Sequence, residues 1–367
     1  MWKAISAALL VAILYFCFWP VPVEPQAWQS PQAPAYHGDF AVNQVLKQFD
    51  HMTMGDQSGP EGVVVANDGY VYATTEQGWI VRWAPGQTEG EKWVKLPGRG
   101  LGICLGREND FWVADAFEGV FHITAEGKLT KRLTEVEDQP LLYANDLVMS
   151  DEGKIYLSDS TARFSAKAYG STYKASLVDI LEHKDSGRVI EFDPATNESR
   201  VIMRGLSFAN GVTIDPDSEF ILVNETSKYR VWKHWLKGEK QGTSEVILDN
   251  LPGFPDNILA GQEGRFWLGF TSPRIALLDV LADKPFVRKV VQRLPTFVRP
   301  AAKYYGHVLA ISADGEVLVN LQDPEAKYPL TTGVSETDDY LYISSLVAPT
   351  LARIKRSDVP QLNSVEN

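Results

Sequence analysis

The chain has 367 residues with a formal net charge of −12, and 44% of them are apolar, enough to build a sizeable core. No basic run occurs anywhere, which argues against nucleic acid and anionic lipid headgroups as partners. Cys17 and Cys104, the two cysteines, both lie in apolar stretches and are not expected to pair; with no CxxC pair, a cysteine-built zinc site is excluded.

In chain order, Lys3 precedes an uncharged run from Ala4 to Val23 (AISAALLVAILYFCFWPVPV), long enough to span a bilayer. Tyr15 and Trp19 suit a membrane interface, and the next cationic residue is Lys47. Residues 1–23 are therefore expected to form a signal anchor or transmembrane helix. The N-terminus would be cytoplasmic and the remainder exported, to the periplasm in a bacterial host. The alternative is a cleaved signal peptide, although no small-residue cleavage site follows. Residues 24–58 read as a linker with a lead-in strand, because Val23–Gly38 (VEPQAWQSPQAPAYHG) is rich in Pro and Gln.

From Gly59 the chain repeats itself. GVVVANDGYVYATTEQGWIVRW begins at Gly62, LGICLGRENDFWVADAFEGVFHI at Leu101 and NDLVMSDEGKIYLSDS at Asn145. NGVTIDPDSEFILVNETSKYRVW begins at Asn210, DNILAGQEGRFWLGF at Asp256 and TGVSETDDYLYISSLVAPTLARI at Thr332. Each unit pairs a short apolar strand with an Asp/Asn/Glu–Gly turn and a second strand of period two, as in YVYATT, FWVADA and KIYLSD. Such units, irregularly spaced by insertions, predict an all-β fold, a six-bladed β-propeller over 59–358 with a tail over 359–367. A β-sandwich is the structural rival, but it does not demand near-equivalent hairpins. Helical periodicity is weak except over Ser165–His183.

In a propeller the innermost strand of each blade lines the central channel, so residues at equivalent strand starts converge. Here those starts carry Glu61 (GPEG), Asn145 and Asp146 (YANDL), Asn210 (FANGV), and Asp256 and Asn257 (FPDNI). Any one of them could be an ordinary turn residue, as Asn67–Gly69 and Asp215–Asp217 are taken to be. Together they supply carboxylate and amide oxygens of the type that suits Ca²⁺, and carboxylates crowded at one apolar-walled point call for a cation.

These same motifs, GPEG, YANDL, FANGV and LPGFPDNI, with GRVIEFDPATNESRVIMRGLSFANGV between them, resemble the superfamily of gluconolactonases, paraoxonases and strictosidine synthase-like proteins. The resemblance runs from Gly59 to Arg353, and it includes a branch with one apolar anchor ahead of the propeller. It implies that Glu61, Asn210 and Asp256 are metal ligands, that Asn145 touches metal or substrate, and that Asn257 is a further ligand. Asp256 is implied as the general base as well as a ligand, and Asn145 as the residue that orients the carbonyl. Asp146 matches a residue on a second, structural Ca²⁺ of paraoxonases, but Gly62 stands where that site has another carboxylate, so one channel Ca²⁺ is expected. Leu101 and Ala116 replace the paraoxonase histidine pair. Thr332 replaces the catalytic Glu of the plant condensing enzyme, which disfavours amine–aldehyde condensation.

The function these residues imply is Ca²⁺-dependent hydrolysis of a small-molecule ester or lactone. The rival is a non-catalytic binding or scaffold propeller that keeps the channel Ca²⁺ for stability. No nucleophile elbow, P-loop or HExxH is present. None of the six histidines lies at a strand start, and His307 (YYGHV) reads as a satisfied core histidine rather than a base.

Overall fold

The computed structural model describes residues 1–363; positions 364–367 of the tail lie outside the described residues. Six four-stranded antiparallel meanders form the body. Their innermost strands are Val63–Val65, Gly100–Leu105, Ala144–Met149, Ala209–Ile214, Gly253–Ala260 and Thr331–Glu336, for blades 1 to 6. The six-bladed propeller expected from the repeats is therefore the fold. The second strands, such as Phe111–Asp115, Ile155–Asp159 and Phe220–Glu225, are buried along their whole length, because each blade is packed between two others. Outer strands such as Glu91–Lys95 instead carry exposed charged residues beside apolar ones.

The core is a set of interblade seams. Trp112, Val120, Leu147, Leu157 and Phe192 join blades 2 and 3, and Tyr156, Val189, Val212 and Val223 join blades 3 and 4. Each such side chain contributes about 1.5–3 kcal/mol by leaving water. The ring closes because Asp50–Thr53 pairs antiparallel with Thr350–Lys355 and becomes the fourth strand of blade 6. Arg353 and Asp50 add an ion pair of 3.0 Å at that seam.

The N-terminal region is less like a linker than its composition suggests. The helix α1 spans Trp2–Phe18, 17 residues, and ends ahead of Pro20 and Pro22. Among the described residues no helix is long and apolar enough to cross a membrane. Val23, expected to end the apolar span, is instead buried against Phe164 and Val178. The Pro/Gln-rich stretch after it is extended but pinned: Gln26 N–H donates to Glu182 O, Trp28 N–H donates to Ala282 O, and the Trp28 ring stacks on His183 at 4.2 Å.

Two insertions rise from the body. The expected helical segment in blade 3 forms α2 (Ala166–Tyr169) and α3 (Thr172–Glu182), capped by the Ser165 and Ser171 hydroxyls. The insertion in blade 5 carries α4 (Ala276–Val280) and α5 (Pro285–Arg293), which the sequence pattern did not announce. In α5, Arg288 is buried, and its guanidinium donates to the carbonyls of Leu181, Ala282 and Gln26. Such contacts are invisible to periodicity. Cys17 and Cys104 are both free.

Candidate metal centre of the channel

The ladder register puts the candidate residues on one ring. The first regular pair of each inner strand is Val63↔Ala73, Ile103↔Val113, Leu147↔Leu157, Val212↔Val223, Ile258↔Leu268 and Val334↔Ile343. Two residues before these stand Glu61, Leu101, Asn145, Asn210, Asp256 and Thr332. One residue before them stand Gly62, Gly102, Asp146, Gly211, Asn257 and Gly333. Near the axis there is little room at this second position. A Cβ on Gly62 would lie 2.2 Å from the Leu101 carbonyl oxygen, and one on Gly211 would lie 2.6 Å from Asn257 Cα. Asp146 and Asn257 fit because the neighbours they face, Gly102 and Gly211, have no side chain. The same crowding explains why Gly62 cannot supply a carboxylate to a second metal.

Glu61, Asn145, Asn210, Asp256 and Asn257 are all buried, between 2% and 5% exposed. Their amides are oriented by groups that can only accept. Asn145 Nδ2 donates to Ser160 Oγ (2.8 Å), whose own hydrogen goes to Ala209 O (2.7 Å). Asn210 Nδ2 donates to Thr226 Oγ1 (3.0 Å), whose hydrogen goes to Pro255 O, and also to Asp256 Oδ1. Asn257 Nδ2 donates to the Glu61 carbonyl (3.1 Å). The amide oxygens are thereby fixed, and Asn145 Oδ1, Asn210 Oδ1 and Asn257 Oδ1 have no hydrogen-bond partner, nor does Asp256 Oδ2. Unpaired buried acceptors cost about 1–3 kcal/mol each, so several in one place point to a ligand that satisfies them. A hard cation fits this donor set, whose members are all oxygens. Among the described residues no cluster of three or more His, Cys, Asp or Glu forms a metal site; this set has two carboxylates and otherwise amides.

The electrostatics agree. Burial raises the Asp256 carboxyl well above its usual range, and the nearby Glu61 charge adds to the effect. Burial also raises Glu61, opposed by the Arg99 guanidinium, which donates to Glu61 Oε2 at 2.6 Å. Asp146, next to Asn145 in Ala144–Met149, is spoken for: its oxygens accept from the N–H groups of Leu147 and Val212, and burial pushes its pKa to about 7. Thr332 Oγ1 donates to the Glu61 carbonyl (2.9 Å) and so props that strand start. His307 is buried, stacked on Phe270 and bonded through Nε2 to Asn320; burial lowers its pKa to about 3, which makes it a neutral core residue. Asp215 accepts three backbone N–H bonds, from Asp217, Glu219 and Phe220, as a turn residue should.

Two residues of the site were not anticipated. Arg99 and Tyr143 each stand two places before a ring position, just ahead of their strands. Bulges between Gly100 and Ile103 and between Ala144 and Leu147 break the alternation there, so periodicity does not point to them. Tyr143 packs with Leu101, Ala116, Phe208, Ala166 and Ala175, so α2 and α3 form a cap over the channel end. Burial raises the Tyr143 hydroxyl well above the usual range, and the Glu61 and Asp256 charges add to the effect.

The propeller fold is shared with solved structures of other proteins. The chain superimposes on a gluconolactonase from Xanthomonas campestris with a TM-score of 0.60 at 13% identity, covering 84% of this chain and 89% of that one. It also matches regucalcin from Agrobacterium tumefaciens, described as a calcium-binding protein, with a TM-score of 0.58 at 15% identity over 84% and 94% of the two chains. The family model described as strictosidine synthase matches residues 145–239, and that of the strictosidine synthase-like N-terminal region matches 38–83. The rat adipocyte plasma membrane-associated protein is 30% identical over 92% of this chain and 94% of its own length, and the bovine protein is 32% identical over 91% and 85%. Strictosidine synthase-like protein 3 of Arabidopsis thaliana is 35% identical over 70% and 66%. The chain belongs to the strictosidine synthase-like family, in company with the adipocyte plasma membrane-associated proteins.

Proposed function

We propose that the channel holds one Ca²⁺ and that the protein hydrolyses carboxylic esters or lactones. The observation that carries this reading is the set of unpaired buried oxygens on Asn145, Asn210, Asp256 and Asn257, whose orientation the surrounding hydroxyls and carbonyls dictate. Glu61, Asn145, Asn210, Asp256 and Asn257 would hold the ion. Bound there, Ca²⁺ supplies Lewis-acid polarisation of a substrate carbonyl.

The remaining chemistry falls to the chain. Asp256 keeps Oδ1 on the Asn210 amide, and its Oδ2, the oxygen that would face the ion, would also take the proton from an attacking water. Asn145 has its N–H turned outward to Ser160, so its oxygen suits the ligand role better than the carbonyl-orienting role. The cap of α2 and α3, packed over Tyr143 and Leu101, would move to admit substrate.

Phenyl acetate and a panel of lactones, assayed with chelator and after Ca²⁺ is restored, test this. Hydrolysis that disappears with chelator and returns with Ca²⁺ is expected, and tryptamine with an aldehyde should give no enzyme-dependent product, because Thr332 offers no carboxylate. Condensation without hydrolysis would overturn the reaction class. A second reading, a non-catalytic binding propeller, is favoured by the apolar Leu101 and Ala116 beneath the cap. It becomes the better one if no ester or lactone turns over.

We further propose that α1 anchors the protein in a membrane, with the propeller on the exported side. The helix has no buried residue and is uncharged beyond Lys3. Its last carbonyls, Phe16 O and Trp19 O, accept from the Arg293 guanidinium, and Tyr15 Oη donates to Arg293 O. These bonds tie an apolar helix to α5, near exposed Phe286 and Phe297. Protease added outside intact cells or spheroplasts should digest the propeller; protection until lysis would reverse the orientation.

A further inference from the structure

Blade 2 breaks the polar ring with Leu101, and Arg99 makes up the difference. Two residues earlier in the chain, it reaches across to blade 1 and pairs with Glu61 through Nη2. It is only 5% exposed. Its Nε and Nη1 are buried and have no hydrogen-bond partner. A guanidinium needed only to steady Glu61 would not leave two nitrogens desolvated and empty, since each unmet donor on a charged group is costly. Around it lie the Glu61 carboxyl and the Tyr143 hydroxyl.

We propose that Arg99 is a specificity-determining residue whose free Nε and Nη1 bind a carboxylate carried by the substrate. The channel then selects anionic esters or lactones, such as half-esters of dicarboxylic acids or lactones bearing a carboxylate. This rests on the hydrolase reading for its substrate class, but its test does not require turnover.

The full-length protein, loaded with Ca²⁺, is titrated calorimetrically with glutaramate and with its neutral isostere glutaramide. Glutaramate is expected to bind about 10- to 100-fold more tightly, the worth of charge-assisted hydrogen bonds. Arg99→Met should abolish that preference while the Ca²⁺ content stays at the wild-type level. Wild-type protein that binds neither ligand, or both alike, overturns the assignment, as does a preference that survives Arg99→Met. Should the Met variant fail to fold or to hold Ca²⁺, Arg99→Lys carries the test. Lysine keeps a charge for Glu61 but loses the fork, and the preference should fall at least about fivefold; an unchanged preference overturns the assignment. Turnover of neutral esters with no carboxylate preference would sink this inference and leave the hydrolase reading standing. A carboxylate preference without any turnover would do the reverse.

Discussion

Blades 2 and 5 present the same backbone to the channel and opposite chemistry. At the ring position blade 5 has Asp256 followed by Asn257, whereas blade 2 has Leu101 followed by Gly102. Asp256 is a buried carboxyl with one oxygen unpaired, while Leu101 is buried against Tyr143, Phe208 and the cap. The propeller thus fixes where six side chains meet, and each blade's sequence chooses whether its position serves a ligand or the packing of the lid. The polar ring positions face the candidate site, and Leu101 of blade 2 packs beneath the cap that blade 3 supplies.

The contrast is broken most severely from the blade 5 side. Asp256→Asn, or Glu61→Gln on blade 1, should weaken Ca²⁺ binding at least about tenfold, because each removes one of two ligating charges. Calorimetric titration and metal analysis of the purified variants read this directly, and hydrolysis should vanish with it. Equal metal content in both variants and the wild type would remove the basis for the site.

On the blade 2 side the expected damage is to stability. Leu101→Ala should cost about 2–5 kcal/mol, as for other large-to-small changes in a closed core, with Ca²⁺ content retained. Denaturant unfolding measures it. A loss of metal without a loss of stability would mean that Leu101 serves the site rather than the cap.

The cap itself offers a smaller effect, set by pH. Asp179 on α3 is buried, neither of its oxygens has a hydrogen-bond partner, and burial pushes its pKa to about 8. Between the unfolded value of about 4 and the folded value, the native state holds a proton that the unfolded chain releases. Its contribution is therefore fully present at acid pH and is lost as pH rises toward 8. Asp179→Asn, which never ionises, should raise the thermal midpoint by several degrees at pH 8 and by less at pH 5. A gain that does not depend on pH would contradict the shift. At the bottom of the scale, Asp217→Asn lies on an exposed turn and should change neither stability nor Ca²⁺ content measurably.

Much of this was legible beforehand because the repeats are local. A turn of Asp, Asn or Glu with Gly between period-two strands announces a hairpin wherever it stands, and the equivalence of strand starts follows from counting residues. Glu61, Asn145, Asp146, Asn210, Asp256 and Asn257 were reached that way, and the family resemblance set Asp146 apart from the candidate ligands. Arg99 was not, because its partner lies on another blade, 38 residues away in sequence. Nor was α5, whose Arg288 reads as a surface charge until the carbonyls of Leu181, Ala282 and Gln26 surround it. The Pro/Gln-rich stretch after Val23 read as free linker for the same reason: composition describes its stiffness, not what it lies against.

What the sequence determined by itself is the number of blades and the residue type at each ring position, since both depend on hydrogen-bonding and burial patterns within a few neighbouring residues. Only the tertiary structure decided which way the amides face, which oxygens stay unpaired, and that α2 and α3 close the channel. Those outcomes depend on hydroxyls and carbonyls such as Ser160, Thr226 and Ala209, brought together from distant points of the chain by ring closure. An amide is symmetric to the sequence, and only its neighbours make one end of it a ligand.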